Sequence, residues 1–218
     1  MKSVIDICNY LLFVLIVCIH TACFKEDKIA PTIKLKGLPI VIIPIGSTYI
    51  DEGVTAEDDR DKDITYLVKA SGTPDTETAG QYYIRYNVND ASGNHAAEAT
   101  RTVYIAHENS TLKGIYEAAE TCDLSGNNPG GYFITFNEEP GNKYLIYLKN
   151  FNELPDNKII SADIRGNTRQ SIVIPQQIIA DTVYSGTGTI NSTGTEIIID
   201  FSRTYNSIVD SCSLILTR

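Results

Sequence analysis

The sequence predicts an all-β protein of two domains, a small Greek-key sandwich followed by an eight-stranded up-and-down barrel. Three observations predict it. Beyond Cys23 the 3.6-residue apolar period of a helix is missing, and short runs of Val, Ile, Thr and Tyr replace it. Gly, Asn, Asp and Pro punctuate those runs at regular intervals, as tight turns require. The pattern breaks once, at the polar segment His107-Glu108-Asn109-Ser110, which separates two apolar-rich regions.

The first element is an export signal. Lys2 supplies a positive start, and Tyr10 to Ile19 is an unbroken apolar run. That run is too short for a permanent bilayer span, which needs roughly 20 apolar residues. It fits the core of a secretory signal peptide over residues 1–22, with small Ala22 before the cut. A signal that ends directly on cysteine resembles a bacterial lipobox, which makes Cys23 the lipidation candidate. His20, where Leu or Val is usual, and Asp6 in the basic region depart from the pattern. A simple signal cut nearby and an uncleaved anchor therefore stay open. Cys18 is a poor rival acceptor because bulky Val17 precedes it. Lys25-Glu26-Asp27 then resembles the Lys-acid-acid export signal of surface-exposed Bacteroidetes lipoproteins. The resemblance implies an outer-membrane, cell-surface protein on a short tether, residues 23–29.

Charge narrows the partners. Removing residues 1–22 takes away one Lys and one Asp, so the net charge stays at −9. Nucleic acid and anionic lipid need clustered Lys and Arg, and no such cluster exists. Membrane contact is expected through the lipid anchor only.

The sandwich is placed at residues 30–106. Thr32 to Leu35 alternates as a short strand. In Gln81 to Val88, residues Tyr82, Ile84, Tyr86 and Val88 share one face and the residues between them the other. Asp90 to Asn94 reads as a turn, and Glu98 to Ile105 as a closing strand. The series Ala30-Pro31-Thr32-Ile33, Gly46 to Ala56, Asp61 to Thr65, Ala79 to Tyr82, Tyr86 to Asp90, Gly93-Asn94 and Arg101 to Val103 resembles the Ig-like domain of bacterial surface proteins. Lys62 departs from it, standing where the family usually has Gly. The resemblance implies a spacer or adhesion module without catalytic apparatus.

Residues 107–111 are expected to be a linker, and 112–218 a barrel. Candidate strands lie near 112–119, 131–137, 143–148, 159–165, 170–174, 182–190, 195–203 and 210–217. Tight turns such as Glu139-Pro140-Gly141-Asn142 and Ser192-Thr193-Gly194 join them. Closure into a barrel would remove exposed sheet edges, and an open sandwich is the alternative. Gly114-Ile115-Tyr116, Gly131 to Ile134, Leu148 to Phe151, Ile172 to Gln177, Gly186 to Ile190 and Cys212 to Leu214 resemble the lipocalin-like C-terminal domains of Bacteroidetes lipoproteins. That resemblance implies partners: an outer-membrane importer of the starch-utilisation type and its binding lipoprotein, taking up glycans or peptides.

Cys122 and Cys212 fall in or just after the first barrel strand and in the last. Those strands are neighbours in a closed barrel, so a disulfide is expected, stabilising by roughly 4 kcal/mol on the chain-entropy model. Two buried free thiols are the alternative.

Catalytic chemistry finds no support in the sequence. No Gly-x-Ser-x-Gly elbow exists, and the mature chain's two histidines, His95 and His107, read as exposed surface residues. No His/Cys cluster has zinc spacing, and no cofactor is expected. Gly186-Thr187-Gly188 lacks the Lys-Ser/Thr of a phosphate loop and reads as strand glycines that let a barrel bend. Asp59, Asp61 and Asp63 alternate like the start of a calcium loop. Gly is absent at the sixth place, and Ala70 stands at the twelfth. A solvated turn with local ion pairs is the simpler expectation there. The 13 Tyr and six Phe, with no Trp, mark no dedicated glycan platform. The expectation is a non-catalytic surface lipoprotein, an accessory or ligand-binding subunit of a nutrient importer. A free-standing adhesin or glycan-binding protein and a lipocalin-like small-ligand carrier are the alternatives.

Overall fold

The computed structural model describes residues 26–155 and 157–218. The expected signal peptide (1–22), Cys23 and Lys25 lie outside the described residues. Among the described residues no helix is long and apolar enough to cross a membrane.

The N-terminal unit is a two-sheet sandwich. One sheet orders β1 (Thr32–Leu35), β3 (Val54–Asp58) and β4 (Lys62–Asp63). The other orders β2 (Ile40–Pro44), β7 (Ala99–Ala106), β6 (Gly80–Asn87) and β5 (Lys69–Ser71). β2 runs parallel to β7, and the other pairings are antiparallel. The alternation read in the sequence sets which side faces in. Ile84, Tyr86 and Val88 are buried, while Gln81, Tyr83, Arg85 and Asn87 are exposed. Ile84 and Tyr86 pack with Val54, Val103 and Ile105 between the sheets. That arrangement is the face-to-face burial that two half-apolar sheets need.

The C-terminal unit is a closed antiparallel barrel. After a one-turn helix, α1 (Asn109–Leu112), come β8 (Gly114–Cys122), β9 (Gly126–Glu138), β10 (Leu145–Lys149) and β11 (Ile159–Arg165). β12 (Ser171–Ile179), β13 (Thr182–Ile190), β14 (Glu196–Tyr205) and β15 (Ile208–Thr217) complete it. Each strand pairs with the next, and β15 returns to β8. The open sandwich is thereby excluded for this unit.

Two strands run well past their expected ends. β9 starts at Gly126, because Gly126, Asn127 and Asn128 pair with Cys122, Thr121 and Glu120 across a register shift. β12 continues beyond Pro175, which has no N–H to give the ladder. A bulge between Ile174 and Gln177 absorbs it. Inside the barrel, Tyr116, Ile134, Phe136, Leu148, Ile160, Ile199 and Leu214 are among the side chains that form one continuous apolar core.

The expected linker is corrected by the structure. Residues 107–111 do not bridge two units through solvent. His107 and Asn109 are buried, α1 is capped by Glu108, and Leu112 is fully buried in the barrel core. The cause is topological: β7 delivers the chain directly onto the open end of the barrel, where only a packed segment fits.

Candidate functional site

Successive strands of an up-and-down barrel alternate direction, so its turns gather at two ends. The end toward the Ig-like unit is closed. Asn109 Nδ2 donates toward the carbonyls of Glu139, Asn142 and Leu145 at 3.2, 2.9 and 3.2 Å. Buried Arg169 donates to the His107 carbonyl at 3.1 Å and pairs with Glu108 at 2.9 Å. His107 Nε2 donates to the Asn191 carbonyl at 3.0 Å, and Ala79 N–H of the sandwich reaches the Ser192 carbonyl at 2.8 Å. This corrects the expected exposure of His107, which is 1 % exposed. Burial lowers its pKa, which disfavours the charged ring. His95 is exposed, as its turn suggested.

The far end is built differently. It collects the β8–β9 turn, the segment between β10 and β11, and the two-residue hairpins at Ala180-Asp181 and Asn206-Ser207. All four hairpin residues have positive φ, the conformation such tight turns demand. Around this rim Leu124, Ile178, Tyr205, Ile208 and Val209 are each more than half exposed. Large apolar side chains grouped at one end of a domain make that end the candidate interaction surface. Beneath them lies a recess of about 380 Å³, lined by Leu124, Thr182, Tyr184, Arg203, Tyr205 and Asp210, among others.

The floor of the recess is polar and tightly connected. Arg203 Nη2 donates to Asp210 Oδ2 at 3.0 Å, and Arg203 Nη1 to Asn152 Oδ1 at 2.7 Å. Asp210 also accepts from Leu124 N–H and Ser125 Oγ, both at 2.8 Å. The Leu124 amide, then Ser125 and Arg203, hold its pKa down at about 2. Glu120, pointing into the barrel, accepts from Asn152 Nδ2 at 2.7 Å and Tyr132 OH at 2.9 Å. Burial raises its pKa, and the two hydrogen bonds only partly oppose this. Asn152 thus bridges Glu120 to Arg203. Each charged group of this floor therefore already has hydrogen-bonding partners.

A second surface lies on the barrel wall. Outward residues of adjacent strands stand in one register row, Val173, Thr187, Asp200, Ser213 and Thr121. With Ser185, Ser202 and Ser211 they line a shallow trough of about 760 Å³. The trough is rich in hydroxyls and has Asp200 near its centre.

Cys122 and Cys212 face each other across β8 and β15, and their sulfurs are bonded. The calcium candidates read from the sequence are not brought together. Asp61 accepts from Ala91 N–H at 2.7 Å, and Asp63 from Thr65 N–H at 2.9 Å. Only Asp59 stays in an acidic group, with Asp58 and Asp27. The alternation that suggested a calcium loop belongs to a β turn, in which neighbouring side chains diverge. Glu120 also lies near Cys122 and Cys212, but the disulfide removes both thiolates as ligands.

Sequence reasoning missed the Glu120–Asn152–Arg203–Asp210 chain, because its members come from four separate segments. A weak signal existed: Glu120 and Arg203 each occupy a position whose strand alternation points inward.

The chain is similar to a solved lipoprotein structure from Bacteroides thetaiotaomicron, at 20% identity and a TM-score of 0.35, over 86% of this chain and 100% of that one. It is also similar to the structure of the CBM51-2 and INT domains of Clostridium perfringens ZmpB. There the identity is 14% and the TM-score 0.27, over 84% of this chain and 43% of that one. No curated protein matches. Residues 33–105 match the family model of the bacterial surface protein Ig-like domain, which spans the N-terminal sandwich and leaves the barrel outside the match.

Proposed function

We propose that this chain is a non-catalytic, lipid-anchored surface lipoprotein and an accessory subunit of an outer-membrane nutrient importer. Cys23 is its anchor, the Ig-like domain its spacer, and the far rim of the barrel its docking surface. One observation carries the reading. The end of the barrel next to the spacer is plugged by α1, Asn109 and Arg169, while the opposite end presents the exposed apolar group of Leu124, Ile178, Tyr205, Ile208 and Val209. A binding surface at the end farthest from a tether is where a large membrane partner can reach it. The partner pair, an importer and its binding lipoprotein handling glycans or peptides, follows from the resemblance of the barrel to C-terminal domains found beside such systems.

The test is a mild-detergent pull-down of the tagged full-length protein from its native outer membrane. We expect stoichiometric recovery of an importer, lost when Ile208 and Val209 are both replaced by Glu. Recovery of the protein alone from membranes rich in intact importers would overturn the reading. Retention of the importer by the double variant would move the docking surface elsewhere.

The hydroxyl-lined trough favours a second reading, a free-standing adhesin or glycan-binding protein. Tight binding of the purified protein to a defined polysaccharide, weakened by Asp200→Ala, would support it. The small-ligand carrier draws no comparable support, since large apolar side chains occupy the interior of the barrel.

A further inference from the structure

Asp58 ends β3, Asp59 opens the turn to β4, and Asp27 lies on the segment that precedes β1. Each offers a carboxylate oxygen, and the three oxygens lie within 4.8 Å of one another. Asp27 and Asp58 are both only 8 % exposed. Asp58 Oδ2 accepts from the Arg60 and Asp61 amides at 2.8 and 2.9 Å. Its other oxygen, Oδ1, is buried and has no hydrogen-bond partner. A buried carboxylate oxygen without a partner carries the full cost of its lost hydration, so something else must satisfy it.

We infer that Asp27, Asp58 and Asp59 form a calcium site that clamps the N-terminal tether onto the Ig-like sandwich. The separation fits the ion. Oxygens around calcium sit at about 2.3–2.6 Å from it, so opposite ligands stand up to about 5 Å apart. The donors are all hard carboxylate oxygens, which select calcium over the softer metals that take Cys or His. Two of the ligands are fixed in place: Asp58 by the turn amides, and Asp27 by the Ile29 N–H at 3.1 Å and by Asn94 Nδ2 donating to its carbonyl at 3.2 Å. The local positive charge is Arg60, whose Nε stands 3.7 Å from Asp27 Oδ2. Its side chain is 45% exposed, so it can swing to solvent as the ion enters. One guanidinium at that distance balances one of three carboxylates and leaves Asp58 Oδ1 unanswered.

The experiment uses the full-length chain in mild detergent, stripped of divalent ions and titrated with calcium by calorimetry. We expect one saturable ion per chain, with a dissociation constant of about 10⁻⁴ to 10⁻³ M, the range of extracellular modules. Asp27→Asn and Asp58→Asn each weaken it tenfold or more, and Asp163→Asn on the barrel leaves it unchanged. Calcium also slows tryptic cleavage after Lys28. The absence of saturable binding up to roughly 10 mM calcium, well above that range, would overturn the site. So would full affinity in both aspartate variants. Should Asp58→Asn fail to fold, Asp27→Asn, which lies outside every strand, decides alone. Unchanged cleavage after Lys28 would overturn the clamp.

Discussion

Arg101 is the largest of the fully buried side chains, 1 % exposed on a strand whose neighbours Val103 and Ile105 are apolar core. A guanidinium survives there because both of its terminal nitrogens have partners. It pairs with Asp51 and donates to the carbonyls of Lys36 and Gly53. Asp51 in turn accepts from Tyr86 OH at 2.6 Å and Tyr49 OH at 3.0 Å. Burial alone would raise the Asp51 pKa, but the hydrogen bonds from Tyr86 and Tyr49 and the charge of Arg101 outweigh it and lower it. Replacing Arg101 with Leu leaves that carboxylate without its counter-charge, and we expect a loss of about 3 kcal/mol in denaturant unfolding. Two carboxylates at the far end of the barrel make a second prediction, because their shifts have opposite signs. Asp210, held at about 2 against an ordinary 3.8, stabilises above the ordinary value and loses that contribution as pH falls toward 2. Glu120, raised above 4.5, contributes fully below that value and loses it as pH rises through its higher folded pKa. In a pH series of melting temperatures, Asp210→Asn should flatten the acid limb and Glu120→Gln the fall on the other side.

At the scale of elements, β13 shows how backbone geometry sets the shape of the barrel. A Cβ at Gly188 would stand 2.2 Å from the Ile198 carbonyl oxygen and 2.8 Å from Ile172 Cγ2. A Cβ at Gly186 would stand 2.7 Å from the Asp200 oxygen. Both glycines face inward, and their missing side chains let β12, β13 and β14 close in behind the outer trough. Backbone oxygen cannot move aside as a flexible side chain would. Gly188→Ala should therefore cost about 1–3 kcal/mol, the range for overpacked cores, read from the denaturation midpoint. The opposite edge of the same problem is Pro175. Its bulge interrupts the β12–β13 ladder for two residues, after which pairing resumes at Gln177 with Tyr184.

At the scale of the whole molecule, the disulfide and α1 act on the same closure. Cys122 and Cys212 lie 90 residues apart and join the first barrel strand to the last. Tying a loop of that length restricts the unfolded chain by about 4–5 kcal/mol on the entropy model. The double variant Cys122→Ser/Cys212→Ser should unfold at markedly lower denaturant, with the barrel affected before the sandwich. A probe in each unit, such as hydrogen exchange of β14 against that of β6, would separate the two. The plugged end fixes the polarity of the chain: the Ig-like sandwich on one side, the exposed rim on the other. That rim groups Leu124, Ile178, Tyr205, Ile208 and Val209, each more than half exposed.

Much of this was legible in the residues. Alternation with period two named the strands and their faces, as in Glu196 to Phe201, where Ile197, Ile199 and Phe201 are buried. The spacing of turn residues gave eight barrel strands, because local sterics of Gly, Asn and Pro act over a few positions. Cysteine placement paired Cys122 with Cys212 once closure was assumed. What the tertiary structure alone decided involves contacts between distant segments. Strand ends shifted where a partner extended the ladder, as at Gly126, or where a bulge absorbed Pro175. His107 and Asn109 read as linker because polarity is a local property, whereas burial depends on what the barrel end places around them. Of the alternating Asp59, Asp61 and Asp63, only Asp59 joins the group with Asp58 and Asp27, since side chains that alternate along a chain diverge in a turn. The Glu120–Asn152–Arg203–Asp210 chain exists only because barrel closure carries four separated segments to one rim.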